Sequence, residues 1–312
     1  MDSDATIFVA GHRGLVGSAI VRALQRDGFE NLLTVGSAEL DLRRQAAVEA
    51  WFAAERPRFV FLAAAKVGGI VANAQSPADF IRDNLLIQVN VLDAAYRNGC
   101  EKLVFLGSSC IYPKRAPQPM AEGALLTGPL EPTNEPYAVA KISGIRMAQA
   151  YHQQYGFCAL SLMPTNLYGE NDNFDLETSH VLPALLRKFH EAKRRGDPVV
   201  TLWGTGTPRR EFLHVDDLAN AAVYLMNTHS DPAIINVGVG QDIEIRELAA
   251  MIQDVVGYQG RIEWDATKPD GTPRKLLDVS RIAALGWKAK VGLRTGIERT
   301  YAWYTQQEAA AQ

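Results

Sequence analysis

Tyr137 and Lys141 stand four residues apart in Glu135-Pro136-Tyr137-Ala138-Val139-Ala140-Lys141. On a helix that spacing puts them one turn apart on one face. An ammonium beside a phenol favours the phenolate and lowers the tyrosine pKa. Such a tyrosine could exchange a proton with a carbonyl or an alcohol near neutral pH. The pair alone is common by chance. It gains weight from Ser108, a hydroxyl at the end of the apolar run Lys102 to Gly107, which could hydrogen-bond the same oxygen. The lysine could also bind the ribose of a nicotinamide.

A second constellation opens the chain. Val9-Ala10-Gly11-His12-Arg13-Gly14-Leu15-Val16-Gly17 spaces its glycines G-x-x-G-x-x-G between a β-rich run and a helical pattern. Gly11 would turn the chain off the strand. Gly14 would let the backbone approach a pyrophosphate, and Gly17 would let the helix pack close to the sheet. The helix N-terminus then offers free N–H groups and a positive dipole end to phosphates. The order of glycine loop, strand-end serine and Tyr-x-x-x-Lys points to a nicotinamide-dependent enzyme.

These side chains need a frame. Apolar runs at 6–9, 31–35, 59–64, 102–107 and 159–163 read as buried parallel strands, separated by helical patterns at 15–24, 43–54, 78–98 and 137–155. Pro136 suits a first helical turn and Gly156 a stop. The alternation predicts an α/β fold, a doubly wound parallel sheet with ligands at its carboxyl edge. Beyond Gly169 the composition changes. A polar loop over 171–179 precedes a helix over 181–195, a turn at 204–208, a strand end and cap at 214–217, a strand at 234–237, and helices over 244–256 and 293–305. The polar tail 306–312 is expected to fray. Residues 1–169 with about 213–237 form the dinucleotide-binding domain in this reading, and about 170–212 with 238–312 a smaller α/β substrate domain.

The second strand sets the cofactor. An acid at its end would bind the 2′-hydroxyl of NAD. Val35 and Gly36 stand there instead, and Arg13 could reach a 2′-phosphate, so NADP is favoured. Asp41 and Leu42 are candidates for the adenine side, and Asp41 is also a candidate N-cap for the helix beginning at Arg43.

The totals narrow the class. The chain has 312 residues, 47% of them hydrophobic, and a formal charge of −3. That balance predicts no general attraction to nucleic acid or to an anionic membrane. No apolar run is long enough to span a bilayer. The N-terminal Met1-Asp2-Ser3-Asp4 lacks the pattern of a signal peptide. Three cysteines without a C-x-x-C pair suggest free thiols in a reducing compartment, hence the cytoplasm.

The glycine loop, Ser108 and the Tyr137/Lys141 pair resemble the extended short-chain dehydrogenase/reductase (Rossmann) family of nucleotide-sugar enzymes. Longer stretches carry the likeness from about residue 6 to about residue 304: 62–70, 106–114, 130–137, 163–169, 210–217 and 268–275. They are similar to the epimerase-reductases of that family. The resemblance implies a GDP-sugar substrate, GDP-4-keto-6-deoxy-mannose, inverted at C3 and C5 and then reduced at C4 with NADPH. It implies Ser108, Cys110, Tyr137, Lys141 and His180 as catalytic residues, with Cys110 and His180 moving the epimerisation protons. Cofactor contacts implied are Gly11, His12, Arg13, Gly14, Leu15, Val16, Gly17, Asp41, Leu42, Leu106, Gly107, Ser109, Lys141, Pro164, Thr165, Asn166, Leu167 and His180. Lys188, Trp203, Arg210 and Asp270 are implied for the substrate, and a homodimer for the assembly. No metal is implied.

The chain departs from the family pattern in two places. Thr34-Val35-Gly36-Ser37-Ala38 holds no arginine for the 2′-phosphate, which leaves Arg13 and Ser37. Glu170 and Asp175 replace a proline and a histidine, and as loop positions both are expected to have little catalytic effect. Three other readings share these motifs. One is a colitose-type enzyme that inverts only C5 of a 3-deoxy ketosugar and reduces C4. Another is a nucleotide-sugar 4-epimerase that keeps NAD bound, and the third is a non-catalytic dinucleotide-binding protein.

Overall fold

The computed structural model describes residues 1–268 and 270–310. Pro269 of the 268–275 stretch and the last two residues of the polar tail lie outside the described residues. The strands are β1 (Ile7–Ala10), β2 (Leu32–Leu33), β3 (Phe59–Leu62), β4 (Lys102–Leu106), β5 (Cys158–Pro164), β6 (Asn166–Tyr168) and β7 (Val199–Trp203). They continue as β8 (Arg209–Arg210), β9 (Phe212–His214), β10 (Ile235–Val237), β11 (Ile243–Glu244), β12 (Arg261–Asp265) and β13 (Arg274–Lys275). The helices are α1 (Leu15–Arg26), α2 (Gln45–Glu55), α3 (Ile70–Gln75), α4 (Pro77–Arg97) and α5 (Glu135–Tyr155). After them come α6 (Val181–Arg195), α7 (Val215–Thr228), α8 (Ile245–Val256), α9 (Ser280–Ala284) and α10 (Leu293–Ala310).

Six strands form one sheet in the order β2-β1-β3-β4-β5-β10, and every pair is parallel. Both faces are covered, so alternate residues of one strand feed different cores. Ile7, Val9, Phe61, Val104 and Leu160 pack with Ile20 and Leu24 of α1 and with Leu218 and Leu225 of α7. Phe8, Val60, Leu103 and Phe105 face the other way, against Phe52 of α2, Val91 of α4 and Ile145 of α5. A third core joins Leu182, Leu186 and Phe189 of α6 to Leu202 of β7, Leu248 and Ile252 of α8 and Ile297 of α10.

The packing amends several sequence expectations. Leu277, Ile282 and Trp287 bury against the large sheet, so 238–312 is not all second-lobe chain. The tail does not fray at Gln306; α10 carries it to Ala310. Asp41 is no N-cap, because α2 begins at Gln45 behind Arg44. Its carboxylate instead accepts from the Arg43 backbone N–H at 3.0 Å, one turn too early.

The two lobes are sewn together by Glu211, whose exposure is 0%. Its Oε1 accepts from the N–H groups of Val239 (2.6 Å) and Gly240 (2.7 Å), and Oε2 from Leu277 N–H at 3.0 Å. Burial pushes this carboxyl pKa up, and the three backbone donors oppose the rise. A Cβ at Gly238 would lie 2.3 Å from Glu211 Oε1, so this contact requires glycine there.

Candidate active site

At the carboxyl edge of the sheet a cleft of about 790 Å³ runs from the glycine loop past Ser108 and Tyr137 to His180. Gly11 has φ +83°, and a Cβ there would lie 2.9 Å from the Ala64 backbone. A Cβ at Gly17 would come within 2.1 Å of Gly11 O, so Gly17 lets α1 close on the loop rather than on the sheet. Gly14 is the N-cap of α1 and makes no side-chain cap, which leaves the first N–H groups facing the cleft wall. A backbone cradle of this kind fits a dinucleotide pyrophosphate. All eighteen residues expected at the cofactor line this one cleft.

At the adenine end the Arg13 guanidinium lies against Gly36, where a Cβ would sit 3.4 Å from Arg13 Cζ. Ser37 lines the same wall. Sequence reasoning missed Arg43, which reaches this wall from the turn before α2. It is held by Asp41 through Nε at 2.8 Å and Nη2 at 2.9 Å.

At the reacting end Ser108 leaves β4 with an extended backbone, and its Oγ accepts from Cys110 N–H at 3.2 Å. That bond starts a 3-10 turn, Ser109–Ile111, which sets Cys110 beside Ser108. Helix α5 brings in Tyr137 and Lys141, but they do not interact as the spacing suggested. Lys141 is buried, and its Nζ donates to Leu106 O at 2.7 Å, 5.9 Å from the Tyr137 ring centroid. Burial lowers Lys141 to about 7. The Tyr137 pKa is raised, not lowered: burial dominates, the Cys110 charge adds to it, and the Ser108 hydroxyl opposes. The shift favours the phenol over the phenolate.

The Cys110 pKa shifts the opposite way. Burial works against its thiolate, but the Lys275 ammonium and hydrogen bonds from Ser108, Lys275 and Asn134 outweigh it and hold the thiol below its ordinary range. Asn134 Nδ2 donates to Sγ at 3.1 Å and Lys275 Nζ at 3.7 Å. Neither partner was singled out from sequence. The signals were present, because Asn134 precedes Tyr137 by three residues and Lys275 ends the last of the similar stretches. Lys275 arrives on β13, which pairs with β8. His180, the N-cap of α6, stands at the cleft mouth. Desolvation by the surrounding cleft wall, and after it the Lys275 charge, hold its pKa down.

The four residues expected at the substrate form a separate group in the smaller lobe. Lys188 Nζ lies 5.8 Å from the Trp203 ring centroid, and Trp203 is 63% exposed. Arg210 has its pKa lowered by burial, an effect that the Asp270 charge opposes. Asp270 accepts from Thr205 N–H at 2.9 Å and Thr205 Oγ1 at 2.7 Å, one bond to each oxygen. Among the described residues no cluster of three or more metal-ligating side chains occurs, and no helix is long and apolar enough to cross a membrane.

Residues 7–238 match the model of the NAD dependent epimerase/dehydratase family. The chain belongs to that family. It is 63% identical over 303 residues to GDP-L-fucose synthase 1 of Arabidopsis thaliana, covering 97% of this chain and 94% of that one. It is 55% identical to GDP-L-fucose synthase of Escherichia coli K12, covering 98% of each. A GDP-L-colitose synthase of Yersinia pseudotuberculosis is more distant at 38%, covering 97% of this chain and 98% of that one. Among solved structures, a GDP-L-fucose synthetase from Naegleria fowleri bound to NADP superposes with a TM-score of 0.92 at 27% identity, over 99% of this chain and 96% of that one.

Proposed function

We propose that this chain is a GDP-L-fucose synthase, converting GDP-4-keto-6-deoxy-D-mannose to GDP-L-fucose by inversion at C3 and C5 and NADPH-dependent reduction at C4. The observation that carries the reading is the meeting of two chemistries at one end of one cleft. Ser108, Tyr137 and Lys141 form a ketone-reducing set, and Cys110 with its Lys275 partner stands directly beside it.

C3 and C5 of the substrate flank the ketone, so their protons are acidified. Cys110 thiolate takes a proton from carbon, and the electron pair moves onto the carbonyl oxygen as an enolate. Ser108 and the protonated Tyr137 donate to that oxygen. His180 returns a proton to the opposite face, and exchange with solvent resets both groups. NADPH, when bound along the glycine loop, supplies the hydride that reduces C4. Tyr137 supplies the matching proton to O4, and Lys141 holds the cofactor ribose. Arg13 and Ser37 hold the 2′-phosphate.

Lys188 and Arg210 are assigned to the nucleotide phosphates, Trp203 to a sugar or base face, and Asp270 to holding the Gly204–Thr207 turn beside them. The substrate lobe then comprises about 170–212 with most of 238–312. The dinucleotide-binding lobe comprises 1–169, 213–237 and the segment around Leu277–Trp287. A homodimer is proposed across α4 and α5, which expose Leu86, Val89 and Val139. Three free cysteines accord with a reducing, cytoplasmic setting.

The test is one incubation in D₂O with GDP-4-keto-6-deoxy-mannose and either NADPH or NADH. Expected are cofactor oxidation, faster with NADPH, and deuterium at both C3 and C5. Label at C5 alone would favour a colitose-type reaction, which the more distant identity of the colitose relative disfavours. No label and no net oxidation, with a tightly held NAD in the purified protein, would favour a 4-epimerase.

A further inference from the structure

His180 hangs on a loop that has no regular structure between β6 and α6. Its position depends on how that loop is held. Asp175 Oδ1 accepts from Glu177 N–H (3.1 Å), Thr178 N–H (2.9 Å) and Thr178 Oγ1 (2.8 Å). The Asp175 carbonyl accepts from Ser179 N–H at 2.9 Å. Thr178 Oγ1 in turn accepts from Asn173 Nδ2 at 2.9 Å. The turn so formed is docked on the large lobe: Gly69 N–H donates to Thr178 O at 2.9 Å, and a Cβ at Gly69 would lie 2.9 Å from Ser179 O. Thr178, Ser179 and His180 all line the cleft.

We propose that Asp175 is a positioning residue for proton transfer: it folds the Asn173–Ser179 turn that aims His180 into the cleft and seats it against Gly69. The inference rests on the proposed reaction and deepens it. It reverses the expectation that a loop aspartate here has little effect. Asp175 does not line the cleft, so its influence passes through His180. Misplacement of a reacting group by about 1 Å can cost about 10²-fold, and a partly released turn should cost less.

All three side-chain bonds fall on Oδ1, so an asparagine can keep them and an alanine cannot. The experiment compares the full chain with its Asp175→Ala and Asp175→Asn variants. Deuterium wash-in at C3 and C5 is read from D₂O, and NADPH oxidation is read separately with an already epimerised 4-ketosugar. Expected for Asp175→Ala is an about tenfold slower wash-in, with hydride transfer to the epimerised ketone and the thermal melt close to the unsubstituted protein. Asp175→Asn should restore wash-in. Unchanged wash-in in Asp175→Ala, an equal fall in both steps, or an equal fall in both variants would overturn the proposal. An unsubstituted protein showing neither label nor oxidation would instead refute the reaction itself, and the inference with it.

Discussion

In the proposed reaction the tyrosine and the cysteine divide the chemistry through opposite electrostatics. Burial pushes the Tyr137 pKa up; burial alone would also raise Cys110, but the Lys275 charge and the thiol's hydrogen bonds bring it below its ordinary range. Tyr137→Phe should therefore cut C4 reduction by about 10²–10⁴-fold, measured as NADPH oxidation with the epimerised ketone; unaltered turnover would remove Tyr137 from the acid role. Lys275→Met tests the other half. Losing the ammonium raises the Cys110 pKa, so at a given pH less thiolate exists. The acidic limb of the wash-in profile should move to higher pH, and a limb that stays in place would exclude Lys275 as the charge that tunes the thiol. The sequence disclosed the residue types and their order along the chain. It did not disclose which ammonium serves which partner, because Lys141 sits within reach of Tyr137 by helical spacing and yet donates to Leu106 O.

Elements were readable to the extent that their apolar pattern was long. The buried runs of β1, β3, β4 and β5 and the caps at Pro136 and Gly156 gave their helices and strands away. The short strands β8 and β13 are Arg-Arg and Arg-Lys, held by pairing to one another, and no periodicity could announce them. Helix α3, six residues long, is likewise too brief for an amphipathic signature. The glycine loop was legible as a motif, but the partner of Gly17 was not. Its clash is with Gly11 O across the turn. Gly17→Ala should open that turn, cost about 1–3 kcal/mol and weaken NADPH binding. A calorimetric melt and a fluorescence titration check both effects, and an unchanged affinity would contradict the assigned closure.

For the whole molecule the connection that matters is Glu211, which collects donors from three separate stretches of chain. Glu211→Ala would leave Val239, Gly240 and Leu277 N–H groups without acceptors. The buried Leu277 N–H alone would cost about 1–3 kcal/mol as an orphan, with smaller losses at the part-buried Val239 and Gly240, so the melting temperature should fall, with Glu211→Gln recovering part of it. A melt unmoved by the alanine would mean the two lobes are joined by packing alone. The order of strands in the sheet has its own consequence for the growing chain. β5 emerges from the ribosome with one side unpaired, and its neighbour β10 is not synthesised until α6, β7 and α7 have followed. Through that interval an apolar strand edge stands open to other chains. The nascent protein is therefore most exposed to aggregation midway through synthesis, and a fragment ending near Gly169 should need a chaperone that the finished enzyme does not.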